Sequence, residues 1–366
     1  TELMRLRHER LKFGGTFHHL LRWRWHGGQV SPLDGCVYAP PANAHHALRV
    51  DPTSRTCELL PLRGADPGFD KTLYYGGILD RRGDLWGVPF AAATVLRVEP
   101  KKRRATCTPL PAPTPDASSD QRHGQDTTAL PAAGYAQNWH GGLMCAVTGD
   151  VFGFPAAADA VLRISPPAID ESYSREEEKE SETGGTPIAH TARLLPVPGP
   201  RGKYQWGGGV QCPVTGIIYG IPSDAADVLR IDPRTDRVTR FGADVVGNPP
   251  RKNKWQNAVR GVDGAFYCVP CDADFVLRLD PANDRLDRVA DGQLPRGKDK
   301  WQGGFTVDGG KTIYAIPESA DAVLRIDVAK GGTVALLGLT PSTITPRSGR
   351  LCDDDAAGDS SAEAPG

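Results

Sequence analysis

Six short stretches of the chain set an aromatic ring beside a basic, imidazole or amide side chain. They are Arg24, Trp25 and His26; Lys71, Tyr74 and Tyr75; Asn138, Trp139 and His140; Lys203 and Trp206; Lys254, Trp255, Gln256 and Asn257; and Lys300, Trp301 and Gln302. Aromatic faces with cations nearby suit an anionic or sugar-like ligand, each exposed cation–π contact contributing about 0.5–1 kcal/mol. His26 and His140 hold equivalent positions in the first and third stretches. They are the candidates for a general base or a metal ligand. Two histidines with a whole stretch between them seldom close a metal site alone, so no metal ligand and no resident cofactor is assigned. A metal-dependent hydrolase or lyase would gather Glu, Asp, Asn and His at these positions. Only His26, His140, Asn138 and Asn257 are present, without a glutamate, and this favours binding over catalysis.

Cys268 and Cys271 have the spacing of a redox pair. No helix N-terminus follows to lower a thiol pKa, so they read as structural. Cys145 and Cys212 each stand three residues after a glycine pair. They would face each other across first strands, and a disulfide there needs a Cα separation below about 7 Å.

The elements that must position these groups repeat six times. Alignment on V-L-R gives Arg49, Arg97, Arg163, Arg230, Arg278 and Arg325, each preceded by Leu. Eight residues before each arginine is a proline, from Pro41 to Pro317, and three before each proline is an aromatic, from Tyr38 to Tyr314. The leading aromatics are Trp25, Tyr74, Trp139, Trp206, Trp255 and Trp301. Within one copy the text reads as four short strands with turn residues between them. Asp-Pro-x-Thr forms a turn by an Asx hydrogen bond and a preset proline φ, and the proline after the aromatic stops the second strand. Four antiparallel strands repeated six times predict an all-β, six-bladed β-propeller over 25–340. Residues 1–24 read as a basic extension or edge strand, in which Lys12–Phe17, K-F-G-G-T-F, echoes a first strand. Loop insertions are expected at 108–137 and 166–203, the second acidic and serine-rich, and a disordered acidic tail at 341–366.

Charge excludes some function classes. Lys plus Arg total 43 and Asp plus Glu 44, so no overall field draws the molecule to nucleic acid or a membrane surface. No apolar run approaches the ~18 residues of a membrane helix. The cysteines are sparse and the chain is long enough to build its core without disulfides, which favours a reducing, intracellular compartment; the chain is expected to be a monomer.

The segments D-V-L-R-I-D-P-R-T-D-R-V-T-R-F and H-A-L-R-V-D-P-T-S-R-T-C-E-L-L resemble the repeats of streptogramin-lyase-like and NHL-type propellers. With the W-x-G-G and Y-x-x-P signatures they also resemble uncharacterised repeat proteins of protists and algae. The resemblance runs from Trp25 to Gly338 and implies a propeller. Lyases of that family use a histidine and a glutamate with a divalent metal at the channel mouth, and no residue-by-residue match to that set is present here.

A residue common to all copies is most economically scaffold, and one confined to one or two copies is the better site candidate. The V-L-R arginines are therefore expected between blades, paired with carboxylates. The glycine pairs are expected at the channel, where small residues let backbones approach. The lysines are expected to pair with rim aspartates such as Asp224, Asp227, Asp274 and Asp321. Function is expected at the aromatic and basic mouth, where a protein or small ligand would bind.

Overall fold

The structure, a computed structural model, describes residues 23–68, 72–111, 137–167, 190–200, 202–247 and 251–338. The predicted tail, most of both insertions and most of the N-terminal extension lie outside these residues. Among the described residues, no helix is long and apolar enough to cross a membrane.

Strands follow one another in runs of four, numbered here as units one to six. Unit one is β1 (Gln29–Val30), β2 (Val37–Ala39), β3 (His46–Asp51) and β4 (Thr56–Gly64). Unit two is β5 (Tyr74–Leu79), β6 (Leu85–Pro89), β7 (Thr94–Glu99) and β8 (Arg104–Pro109). Unit three is β9 (Trp139–Met144), β10 (Val151–Pro155), β11 (Ala160–Ser165) and β12 (Thr191–Pro196). Unit four is β13 (Trp206–Gln211), β14 (Ile218–Pro222), β15 (Val228–Asp232) and β16 (Arg237–Phe241). Unit five is β17 (Trp255–Arg260), β18 (Phe266–Pro270), β19 (Val276–Asp280) and β20 (Arg285–Val289). Unit six is β21 (Trp301–Phe305), β22 (Thr312–Pro317), β23 (Ala322–Asp327) and β24 (Thr333–Gly338). These make five sheets, four of four antiparallel strands and one of eight. The eight-stranded sheet arises because the outer strands of units one and two pair in parallel, Leu62 with Ala105 and Gly64 with Cys107.

The predicted local devices are present. Strands β6, β10, β14, β18 and β22 end at their prolines. Asp51 and Asp232 accept backbone N–H bonds from two residues ahead at 2.9 and 3.0 Å. The glycine pair does two jobs. The first glycine takes positive φ, 70° at Gly27 and 88° at Gly76, and the register of first strand on second shifts around it, a β-bulge. A Cβ on Gly27 would lie 2.8 Å from the Gly76 Cα, so neighbouring first strands also approach too closely for a side chain.

Buried apolar clusters join consecutive units. One unites Tyr38 and Ala47 of unit one with Leu85 and Leu96 of unit two. Another unites Tyr219 and Val228 of unit four with Trp255 and Leu277 of unit five. The seven described cysteines are free thiols. Cys145 accepts a hydrogen bond from Gln211 Nε2 at 3.0 Å and is not paired with Cys212.

The V-L-R arginines all meet carboxylates, but not all between units. Arg230 reaches Asp284 of the next unit at 3.0 Å. Arg163 binds Asp150 of its own unit and both Asp236 and the Pro233 carbonyl of the next. Arg97 stays at home, 2.6 Å from Asp84 and 3.5 Å from Glu99, with side chains of Arg97 and Asp84 only 5% and 8% exposed. Arg278 also stays at home on Asp263, and there the two side chains are 22% and 30% exposed. Breaking a buried pair strands a charge and costs about 3–5 kcal/mol, whereas an exposed pair contributes about 0–1 kcal/mol. Thermal unfolding of Arg97→Ala should therefore show a loss of about 3–5 kcal/mol, and Arg278→Ala a loss several-fold smaller. Equal losses would show that burial of the pair does not govern its strength.

Candidate functional site

Five of the six units lead the chain into the first strand in the same way, unit three with Gln137 being the exception. The residue two before the leading aromatic is left-handed, with φ of 54° at Trp23, 58° at Thr72, 49° at Tyr204, 50° at Asn253 and 49° at Asp299. In units two, five and six its N–H is held by a side-chain oxygen of the preceding unit. Thr72 donates to Asn43, Asn253 to Asp224 and Asp299 to Asp272, each at 2.7 Å.

The leading aromatics face inward. Trp139, Trp206, Trp255 and Trp301 are fully buried. Their indole Nε1–H groups donate to Ala160 O, Asp227 O, Phe275 O and Ala322 O at 2.7–3.0 Å, and the half-buried Trp25 donates to His46 O at 2.9 Å. Tyr74 replaces the indole with a hydroxyl bonded to Thr94 Oγ1. The tryptophans expected to offer faces to a ligand are thus clamps within their own units.

The lysines expected to pair with aspartates bind carbonyls instead. Lys254 Nζ donates to Ser223 O, Ala225 O and Arg251 O at 2.8, 2.8 and 3.1 Å. Lys300 Nζ repeats this on Cys271 O, Ala273 O and Gly297 O at 2.8, 2.9 and 3.4 Å. An ammonium has three protons, and three converging carbonyls take all of them. Burial pushes Lys254 down to about 8, with Asp224 and Asp227 opposing the fall. The rim aspartates are taken by other partners, Asp227 by Arg240 at 2.9 Å and Asp274 by Arg251. Arg24 and Lys203 remain exposed, Arg24 lying 4.9 Å over the Trp25 ring.

The residue after each leading aromatic forms a different layer. In chain order these positions hold His26, Tyr75, His140, Gly207, Gln256 and Gln302. The His26 ring stacks on Tyr75 at 3.8 Å, and His140 lies 4.2 Å from the same ring. Two rings that close to one phenol must occupy its opposite faces. Phe90 flanks the stack, 5.5 Å from Tyr75. Gly207 makes a backbone hydrogen bond with His140, and a Cβ on Gly207 would lie 3.9 Å from the Gln256 Cα. Gln302 Nε2 then donates to Gln256 Oε1 at 3.1 Å, and Gln256 Nε2 to Asn253 Oδ1 at 2.5 Å. Contact passes from unit to unit around an arc, aromatic in units one to three and amide in units five and six. Asn257 is exposed beside it, its Oδ1 accepting the Ala258 N–H. Tyr75 belongs to one of the six stretches selected by type, whereas Phe90 does not. The offset of one from the leading aromatic is the signal that singles Tyr75 out from Tyr74.

Two buried polar atoms of this layer, His26 Nδ1 and His140 Nδ1, have no partner, and neither has Asn138 Oδ1 two positions before His140. Such orphans are rare in native interiors and cost about 1–3 kcal/mol each. Burial holds both imidazoles below the ordinary histidine value. The fit to a divalent metal is poor. Metal–nitrogen bonds are about 2.0–2.1 Å, and imidazoles on opposite faces of Tyr75 cannot both reach one ion. Cys271, Asp272 and Asp299 do bring ligand atoms within 4.8 Å of one another, linked to this layer through Asn253, which donates to Asp299 and accepts from Gln256. Asp272 already accepts the lead-in N–H of Asp299, and the Asp299 carboxylate accepts from Asn253 Nδ2, while burial with nearby negative charge pushes the Cys271 thiol up to about 12. That thiol is neither a redox nucleophile nor a ready ligand.

No protein-family profile and no curated protein matches the sequence. Among solved structures, a streptogramin B lyase is 14% identical with a TM-score of 0.54, over 87% of this chain and 84% of that one. A catalytically inactive virginiamycin B lyase of Staphylococcus aureus, solved with quinupristin, is 13% identical with a TM-score of 0.55, over 86% and 84%. The extracellular domain of a putative one-component system of B. thetaiotaomicron is 11% identical with a TM-score of 0.51, over 86% of this chain and 36% of that one. The chain therefore shares a β-propeller fold with these structures.

Lowered histidine pKa values set a sign. As pH falls, the unfolded chain takes up the proton near pH 6.5 before the folded one does, so stability present above that value is lost below it. His140→Phe, which keeps an aromatic ring on Tyr75, should show a shallower fall of Tm between pH 7 and pH 5 than the unaltered chain. An equally steep fall would remove His140 from the acid response.

Proposed function

We propose that the chain is a six-bladed propeller that binds, without chemical turnover, a small uncharged polar ligand of sugar-like kind at its channel mouth. The observation that carries this reading is the layer of six equivalent positions, His26 to Gln302. It combines ring edges, two side-chain amides and two orphaned imidazole nitrogens, with the orphaned Asn138 oxygen beside it, and these are the groups that read hydroxyls and C–H faces together. The anionic ligand expected from composition is less favoured. Lys254 and Lys300 are withdrawn onto carbonyls, and only Arg24 and Lys203 are left as exposed cations among the candidates. A protein partner remains the broader form of the same idea, but orphaned buried atoms favour something small enough to enter. The lyase-like fold supplies the scaffold and no more, because the channel layer holds no carboxylate and its two imidazoles are separated by Tyr75.

Calorimetric titration with a panel of neutral mono- and oligosaccharides tests the proposal. At least one should bind, and Gln302→Ala and His140→Ala should each weaken it about tenfold, near 1.4 kcal/mol, with little change in Tm. Turnover of a lactone or ester that is lost in His140→Ala would replace the binding reading with an enzymatic one.

A further inference from the structure

At the position after the leading aromatic, five units carry an imidazole, a phenol or a primary amide, and unit four carries Gly207. The backbone does not call for this glycine. Its neighbour Gly208 has a positive φ of 138°, and Gly207 does not. Gly209 has no room for a side chain, since a Cβ there would run into the Phe154 ring. A Cβ on Gly207 would meet only the Ser223 Cβ at 3.7 Å and the Gln256 Cα at 3.9 Å, which is ordinary packing distance. No atom of His140 comes within 4 Å of that point, so the glycine does not make space for the imidazole either. The series of planar groups is thus interrupted once. His26, Tyr75 and His140 follow one another at 3.8 and 4.2 Å. Gln302 and Gln256 are joined at 3.1 Å. Between the two runs one side chain is missing, at a half-buried position that solvent reaches.

Building on the saccharide-binding reading, we propose that this notch is the subsite in which one ring of the ligand sits, so that the sugar completes the series. A pyranose is flat enough to follow a planar group, with its C–H face towards His140 and its hydroxyls towards the Gln256 amide. Few polar groups are needed to fix the orientation of a small ligand, and this amide has capacity to spare. A primary amide offers two N–H donors and two acceptor lone pairs. Asn253 takes one N–H of Gln256 and Gln302 takes one lone pair. One of each is left, enough for two neighbouring hydroxyls. A long side chain at position 207 would occupy the same place, so Gly207 is the residue that keeps the mouth open to a sugar.

The test uses the full chain and calorimetric titration with glucose, galactose, mannose, N-acetylglucosamine and their disaccharides. Gly207→Gln gives unit four the side chain that units five and six carry. It should keep the Tm of the unaltered chain and weaken the sugars that the unaltered chain binds by about tenfold or more. Undiminished binding by Gly207→Gln would overturn the notch while leaving saccharide binding elsewhere at the mouth in place. If the unaltered chain binds none of the panel, the saccharide reading falls and the notch with it. Gly207→Ala gives a reading that needs no ligand. Alanine restricts the unfolded chain more than glycine does, so its Tm should equal or exceed that of the unaltered chain. A fall of several degrees in either variant would show that the fold itself requires glycine here, and would overturn the proposal.

Discussion

The lead-in clamp is the interaction on which the other features depend. In five of the six units a left-handed residue turns the chain towards the axis, and in units two, five and six its N–H is held by the preceding unit. Two residues later, in every unit but the second, an indole N–H is tied to a carbonyl at the start of its own third strand. A buried indole N–H without an acceptor would be costly, so once the ring is inside, the third strand has one place to start. Tyr74 shows that the requirement is for a polar handle at that depth, because its hydroxyl finds Thr94 where an indole would find a carbonyl. The clamp fixes the register of first and third strands and presents the next residue to the axis.

The same economy governs the lysines. In units five and six, Lys254 and Lys300 thread their amino groups into a triad of carbonyls drawn from two units. These carbonyls belong to loops that no strand satisfies. The ammonium acts as a fastener between units, and a surface cation is removed from the mouth. Unit three places Asn138 at the equivalent position, and its Oδ1 is left without a partner. The break in the fastening pattern thus falls beside His140 and the layer that holds the other orphaned atoms.

Much of the fold was legible in the sequence because its signals are local and repeated six times. The proline ends, the Asx turns and the glycine bulges each need only a few residues, and each is found where the text put it. The site was legible only in part. Spacing locates Trp139 or Lys300 along a strand but not whether the side chain turns in or out, and residue type suggested the wrong direction for both. Arg278 was read as buried like its sisters, although its unit leaves it partly open. The functional layer was present in the alignment as the column after the leading aromatic. That column mixes His, Tyr, Gly and Gln, and so it is found by position and not by residue type.

The central claim is that the leading aromatics are scaffold and that the column after them is the site. Side-chain NMR separates the two directly, because five indole N–H groups belong to the first set and the Gln256 and Gln302 amides with the His26 and His140 imidazoles to the second. On addition of a binding saccharide, the account predicts shifts in the amide and imidazole resonances while the indole resonances stay in place. Shifts confined to the indoles, with unmoved amides and imidazoles, would contradict it.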